Sequence, residues 1–249
     1  MADERVYVFQ HVACEDLGTF AEVLDRRGMR TEYVRLFAGD SIGDGVATAA
    51  ALVFLGGPMS VNEEHRYPYL IAEKALIRRA LETDTPVLGV CLGAQLLAAA
   101  AGSRVFPGPR PEIGWTPVSL TLEGRQDPVL GGVAELASVF HWHGETFDLP
   151  PGATRLAFSA LTMNQAFCLG ARAYGLQFHL EVTAAMVDAW LREYARDLGA
   201  DAATTASHVA ADTLVFAKPL RAAAAATMNR FLDLVFAHRG RREEVARDV

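Results

Sequence analysis

The chain has few cysteines, no excess of positive charge and no long apolar run, and each shortage removes a class of protein from consideration. Cys14, Cys91 and Cys168 are the only cysteines among 249 residues. They are odd in number and widely spaced, which argues against a disulfide-stapled secreted fold; a reducing, cytoplasmic compartment is expected. Acidic residues outnumber basic ones by 30 to 23, for a formal net charge of -7, which speaks against general nucleic-acid binding. The basic cluster Arg239 to Arg242 runs directly into Glu243 and Glu244 and reads as a solvated terminus. No stretch approaches the roughly 20 consecutive apolar residues needed to cross a bilayer. The opening Met-Ala-Asp-Glu-Arg lacks the basic-then-apolar order of a signal peptide. Neither nucleic acid nor a membrane is therefore an expected partner. There is also no internal repeat, and no linker long enough to separate two independent domains.

What is present is a hydrophobic fraction of 51%, enough for a full core. Arg5 to Gln10 alternates and is rich in Val, Tyr and Phe, as a first strand would be. Glu15 to Arg27 has helical spacing at Leu17, Phe20, Val23 and Leu24, closed by Gly28. Thr31 to Leu36 and the very apolar Ala50 to Leu55 read as further strands, Tyr69 to Glu82 as a helix crossing back, and Pro86 to Val90 as another buried strand. This is the opening of a parallel α/β sheet. Beyond Gly102 the pattern turns to antiparallel strands, over Val105 to Arg110, Ile113 to Leu122, Ser138 to Trp142, Thr154 to Ser159, Gln165 to Leu169 and Ala171 to Phe178. Ala184 to Leu198 is a helix, and residues 201 to 238 are Ala-rich and helical, with an interruption expected near Pro219.

One stretch carries the chemistry. Val87-Leu88-Gly89-Val90 runs into Cys91, and Leu92-Gly93-Ala94-Gln95 starts an Ala/Leu helix ended by Gly102. A strand turning sharply into a helix lifts a nucleophile clear of the sheet edge. Glycines two before and two after it are needed because side chains there would collide with the backbone of so tight a turn. At a helix N-terminus the unpaired N–H groups favour a thiolate. Alone, the pattern also fits a small buried cysteine at a strand–helix junction.

Two other stretches supply what such a cysteine would need. Gly56-Gly57-Pro58-Met59-Ser60-Val61 puts bare backbone at the carboxyl end of a buried strand, where open α/β sheets bind ligands. Gln177-Phe178-His179-Leu180-Glu181 ends another apolar strand. In extended backbone His179 and Glu181 point to the same side, so the carboxylate can orient the imidazole in a nucleophile–base–orienter set.

These three motifs, in this order and spacing, resemble the class I glutamine amidotransferase domain, in the stand-alone group similar to the glutaminase part of GMP synthase. The resemblance covers roughly residues 5 to 198. It implies an α/β fold with a flavodoxin-like, mixed but mostly parallel central sheet flanked by helices. An antiparallel side sheet and a C-terminal helical extension complete the expected architecture, with a domain over 1–199 and an extension over 200–249 packed on or near it. It also implies hydrolysis of glutamine or another γ-glutamyl amide through a thioester on Cys91, with His179 as acid and base and Glu181 orienting it. The N–H groups of Gly57 and Leu92 would form the oxyanion hole, and Gly56, Gln95, Trp142 and His143 would contact substrate. The family usually has proline where this chain has Leu180, so a looser arrangement is expected.

In Phe140-His141-Trp142-His143-Gly144-Glu145 two histidines lie two apart, but no neighbouring cysteine or carboxylate set completes a metal site. No metal and no cofactor are therefore expected. No synthetase pattern accompanies the motifs, so any enzyme taking up the ammonia is expected to be a separate synthase subunit. The alternatives are a γ-glutamyl peptidase that needs no partner and a non-catalytic γ-glutamyl-binding regulator. The helical tail is expected either to cover the domain or to form a homodimer surface.

Overall fold

The computed structural model describes residues 5–131 and 138–247, with side chains as far as residue 240. The charged run over 241–244 thus lies outside the described side chains. The elements are β1 (Arg5–Gln10), α1 (Thr19–Arg26), β2 (Arg30–Arg35), β3 (Ala51–Phe54), α2 (Tyr69–Glu82), β4 (Val87–Val90), α3 (Leu92–Ala100), β5 (Val105–Thr116), β6 (Ser119–Leu120) and α4 (Leu122–Gln126). There follow β7 (Val139–Phe147), β8 (Ala153–Phe158), β9 (Ala166–Leu169), β10 (Ala173–Leu176), α5 (Ala184–Glu193) and α6 (Ala202–Arg247).

Among the described residues, eight strands form one sheet in the order β2-β1-β3-β4-β10-β9-β8-β6. The five from β2 to β10 are parallel, and β9, β8 and β6 continue antiparallel. β5 and β7 make a separate antiparallel pair. This is the expected mixed, mostly parallel arrangement. Its central strands are apolar at successive positions because both faces are covered. Val6 and Val8 of β1 join a core with α1, α5 and α6, whereas Tyr7 and Phe9 join a second core with α2 and α3.

Several boundaries differ from the local pattern, each for a stated reason. α1 starts at Thr19 instead of Glu15, because Gly18 takes φ +47° and the preceding turn carries Glu15 inward, to 6% exposure. The two strands expected at Val105 to Arg110 and Ile113 to Leu122 are largely one, β5. Its prolines have no N–H for the ladder, so pairing with β7 lapses after Pro107 and resumes at Glu112. The helix expected to run to Leu198 stops at Glu193, and residues 195–198 form a 3-10 turn.

The expected interruption at Pro219 is absent: α6 continues through it. A proline inside a helix costs about 3 kcal/mol, but burial of each large apolar side chain returns about 1.5–3 kcal/mol. Leu220, Met228, Phe231, Leu232 and Val235 are all at 0% exposure, so packing wins. Trp115 Nε1 donates to Thr213 Oγ1 at 2.9 Å, and Arg27 reaches Asp233 at 2.8 Å. Phe231 sits edge-on to Tyr174, with ring centroids 6.4 Å apart. Replacing Phe231 by alanine is expected to cost about 3–5 kcal/mol, measured by urea denaturation. A change under about 0.5 kcal/mol, the usual effect of a surface substitution, would mean that α6 is not part of the core.

Candidate active site

Four adjacent parallel strands, β1, β3, β4 and β10, deliver their carboxyl ends to one place. β4 brings Cys91, which has φ +51° and ψ -105° and caps α3. A non-glycine residue there stores on the order of 1–3 kcal/mol. The flanking glycines permit the turn: a Cβ on Gly89 would strike the Gly93 carbonyl, and one on Gly93 would strike the Phe54 carbonyl. Cys91 N donates to Leu176 O at 2.7 Å, tying the turn to β10.

β10 brings His179 and Glu181. The imidazole Nδ1 lies 2.6 Å from Glu181 Oε1, and both residues are almost fully buried. With Nδ1 occupied, Nε2 is the nitrogen left to face a reactant. Burial works against a charged imidazole, but the Glu181 carboxylate and then Cys91 outweigh it and hold His179 well above its ordinary value of 6.5. Leu180, which stands where the family usually has proline, is at 0% exposure in the core. The segment is also tied by Thr19 N to Glu181 O at 2.8 Å and His179 N to Phe140 O at 2.8 Å.

β3 brings Gly56 and Gly57. Gly57 lines a cavity of about 420 Å³ together with Cys91, Gln95, Trp142, His143 and Glu145. Leu92 is the first residue of α3, where N–H groups have no intrahelical acceptor, and its side chain lies against Gly57. Gly56 stands behind this surface: a Cβ there would overlap Glu15 and crowd His179. Gln95 is at 4% exposure, its Nε2 donating to Glu145 O and Gln177 Oε1, each at 3.2 Å. Trp142 turns its carbonyl oxygen to Cys91 Sγ at 3.7 Å and its Nε1 to Asp197 at 3.2 Å. His143 Nδ1 lies 3.0 Å from Glu145 O.

Two buried features have no signature in the local pattern. His11, at the end of β1, places Nδ1 3.0 Å from Gly56 O and Nε2 3.0 Å from Glu73 Oε1 on α2. C=O and N–H of a trans peptide point in opposite directions, so this bond turns the Gly57 N–H away from His11. Burial disfavours the charged ring, but Glu73 overrides it and the His11 pKa is raised above 6.5. The contribution of His11 to stability is therefore fully present below pH 6.5 and lost as pH rises through the raised folded value. Replacing His11 by leucine leaves Glu73 buried without its partner and is expected to cost about 3–5 kcal/mol. Urea titrations at several pH values check both the size and the direction. The second feature is Glu15, whose Oε1 accepts from Tyr194 Oη at 2.7 Å. Burial first, and Glu181 in part, raise its pKa above that of an ordinary carboxyl.

The fold also supplies a carboxylate that local sequence does not place near the two histidines: Glu112 of β5, opposite His143 in the ladder. Donor atoms of Glu112, His141 and His143 lie within 4.8 Å of one another. The Glu112 oxygens already accept from Ser159 Oγ at 2.7 Å, Thr162 Oγ1 at 2.6 Å and Gln165 Nε2 at 2.8 Å. Those donors make Glu112 the hub of a buried hydrogen-bonded network. Burial opposes its charge, but His143 and the hydroxyl donors hold it down to about 2, while burial and His143 push His141 down to about 3. Cys168 donates to Gly170 O, with its thiol raised by burial to about 12, and Cys14 pairs with Tyr194 Oη at 3.3 Å.

The chain is similar to known proteins over most of its length. The family model for glutamine amidotransferase class-I matches residues 15–192. The glutamine amidotransferase-like protein YfeJ of Salmonella typhimurium is 33% identical over 197 residues, 78% of this chain and 82% of that one. One subunit of the glutamine-hydrolyzing GMP synthase of Natronomonas pharaonis is 32% identical over 175 residues, 70% of this chain and 80% of that one. The crystal structure of a glutamine amido transferase from Methylobacillus flagellatus superposes with a TM-score of 0.85 at 30% identity, covering 92% of this chain and 94% of the other. A buried cysteine on a strained strand–helix turn, beside a carboxylate-held histidine in a fold shared with these proteins, leads to one assignment: the chain belongs to the class I glutamine amidotransferase family.

Proposed function

We propose that the chain hydrolyses the side-chain amide of glutamine, or of a related γ-glutamyl compound, through a thioester on Cys91. The observation that carries this is the strained Cys91 beside an imidazole whose Nδ1 is held 2.6 Å from Glu181. The proton held between Cys91 and His179 lies on His179 Nε2, and the Cys91 thiolate attacks the amide carbon. The N–H groups of Gly57 and Leu92 stabilise the oxyanion. His179 then gives its proton to the nitrogen, the C–N bond breaks and ammonia leaves. Next His179 takes a proton from water, the resulting hydroxide attacks the thioester, and glutamate and the Cys91 thiolate are regenerated. Glutamine and water thus become glutamate and ammonia. Gln95 and the segment over 142–145 would hold the α-amino and carboxylate end of the substrate in the larger cavity.

The relative from Natronomonas pharaonis, itself one part of a GMP synthase, supports a separate synthase polypeptide as the destination of the ammonia. No described helix is long and apolar enough to cross a membrane. The cysteines are free, in keeping with action in a reducing compartment. The test is release of ammonia from glutamine by the purified chain, with acid quenching and mass measurement of the Cys91 peptide. A γ-glutamyl adduct on that peptide is expected. Turnover without any adduct on Cys91 would overturn the mechanism.

A further inference from the structure

His141 of β7 is at 0% exposure, and among the described residues neither of its ring nitrogens has a hydrogen-bond partner. Leaving a buried polar group unpaired is costly. His143 follows two residues on, so both rings leave the same face of the strand, with centroids 5.8 Å apart. Nδ1 of His143 donates to the Glu145 carbonyl at 3.0 Å, because a carbonyl can only accept. That fixes the tautomer and leaves a bare lone pair on Nε2, which also has no hydrogen-bond partner. It faces Glu112 Oε2 at 3.4 Å.

Two acceptors that face each other repel unless a cation lies between them. A proton on Nε2 would be one such cation, but 3.4 Å is long for an N–H···O bond, and both nitrogens of His141 would stay unpaired. A metal ion serves all three residues at once. Ligands about 2.0–2.1 Å from a tetrahedral ion stand about 3.3–3.4 Å from one another, which matches the His143–Glu112 separation. Donor atoms of Glu112, His141 and His143 already lie within 4.8 Å of one another.

We propose that Glu112, His141 and His143 form a binding site for one divalent transition-metal ion of the zinc type, which clamps β5 to β7 beside the cavity of about 420 Å³. Two imidazoles with one carboxylate suit such an ion, whereas calcium and magnesium take oxygen ligands. The surroundings hold the ligands in place. Glu145 O orients His143, as backbone carbonyls orient metal-bound histidines. Ser159, Thr162 and Gln165 fill three of the roughly four lone-pair positions on the Glu112 carboxylate and leave one for the ion. Three protein ligands keep a fourth position for water. His143 lines the cavity, which gives the ion a way in. Along the chain no carboxylate set accompanies the two histidines, so the sequence leads to the expectation of no metal; the β5–β7 register supplies the missing ligand. The site goes beyond the Cys91 reaction and uses none of its catalytic groups.

The test takes the intact protein, stripped with a chelator, titrates it with Zn²⁺ and measures bound metal after gel filtration. One ion per chain is expected, with a rise in the urea midpoint, because an ion that binds only the folded state stabilises it. The same uptake is expected in Cys91→Ala, which removes the thiolate as a competing ligand. His141→Leu and Glu112→Gln should each weaken Zn²⁺ binding by more than about 100-fold, beyond the loss of an outer-shell partner. Without metal, His141→Leu should match or exceed the wild type in urea midpoint, since it removes an unpaired buried imidazole; that separates a lost ligand from a damaged fold. No uptake by the wild type would overturn the site. So would unchanged uptake in folded His141→Leu or Glu112→Gln, or uptake lost in Cys91→Ala, which would put the ion at the nucleophile.

Discussion

Cys91→Ala is expected to abolish glutamine turnover, by roughly four to six orders of magnitude, the loss seen when a covalent nucleophile is removed from an assembled site. The fold should survive, because Cys91 packs as a small side chain at 6% exposure and alanine removes a single sulphur. The companion variant Cys91→Gly separates chemistry from strain. At φ +51° any side chain is unfavourable, whereas glycine is not. Relief of on the order of 1–3 kcal/mol is set against about 0.5–1 kcal/mol of added unfolded-state entropy. Cys91→Gly should therefore be inactive yet as stable as the wild type or more so, by about 1 kcal/mol, the difference of those two terms. Ammonia release and urea midpoints measured on the same preparations test both halves. If the glycine variant is markedly less stable than the alanine variant, the turn is not strained.

Glu181→Gln should lower kcat by about two to four orders of magnitude, because an orienting carboxylate sets both the tautomer and the charge of its histidine. Burial alone would depress the His179 pKa, and the Glu181 charge is the largest of the effects, with Cys91 after it, that lift it well above 6.5. With glutamine in place that largest lifting charge is gone, so the alkaline limb of the kcat/KM profile should move to lower pH. Linkage gives a second readout. A group whose folded pKa is raised adds stability that is complete below its unfolded value, 6.5, and is lost as pH rises through the folded value. The stability difference between wild type and Glu181→Gln should thus be largest below pH 6.5 and shrink in alkaline solution. A difference that grows with pH would mean that His179 is neutral in the folded protein.

Much of this site is legible in the chain because its signals are local. The glycines around Cys91 report a turn that is sterically closed to any other residue, and the two-residue offset of His179 and Glu181 survives although the segment leaves the strand after Leu176. Glu15 was hidden by the same kind of signal: its spacing continues the helical pattern of α1, while Gly18 breaks that helix and buries the carboxylate beside His179. Trp142 and His143 are legible as a motif, but Glu112, which lies across the ladder from His143, is not.

Local periodicity and steric closure are properties of neighbouring residues, and they were enough to mark most of the strands and the elbow that carries Cys91, the proposed nucleophile. The order β1-β3-β4-β10 is another matter, because β10 joins β4 only after the chain has built α3, the β5–β7 pair and β8 and β9. That adjacency alone sets His179 against Cys91 and Gly57. The same holds for His11 with Glu73, for Glu15 with Tyr194, and for a helix that runs through Pro219. A buried polar group or a strained residue is tolerated when its partner or its packing arrives from far along the chain, and only the tertiary structure decides that.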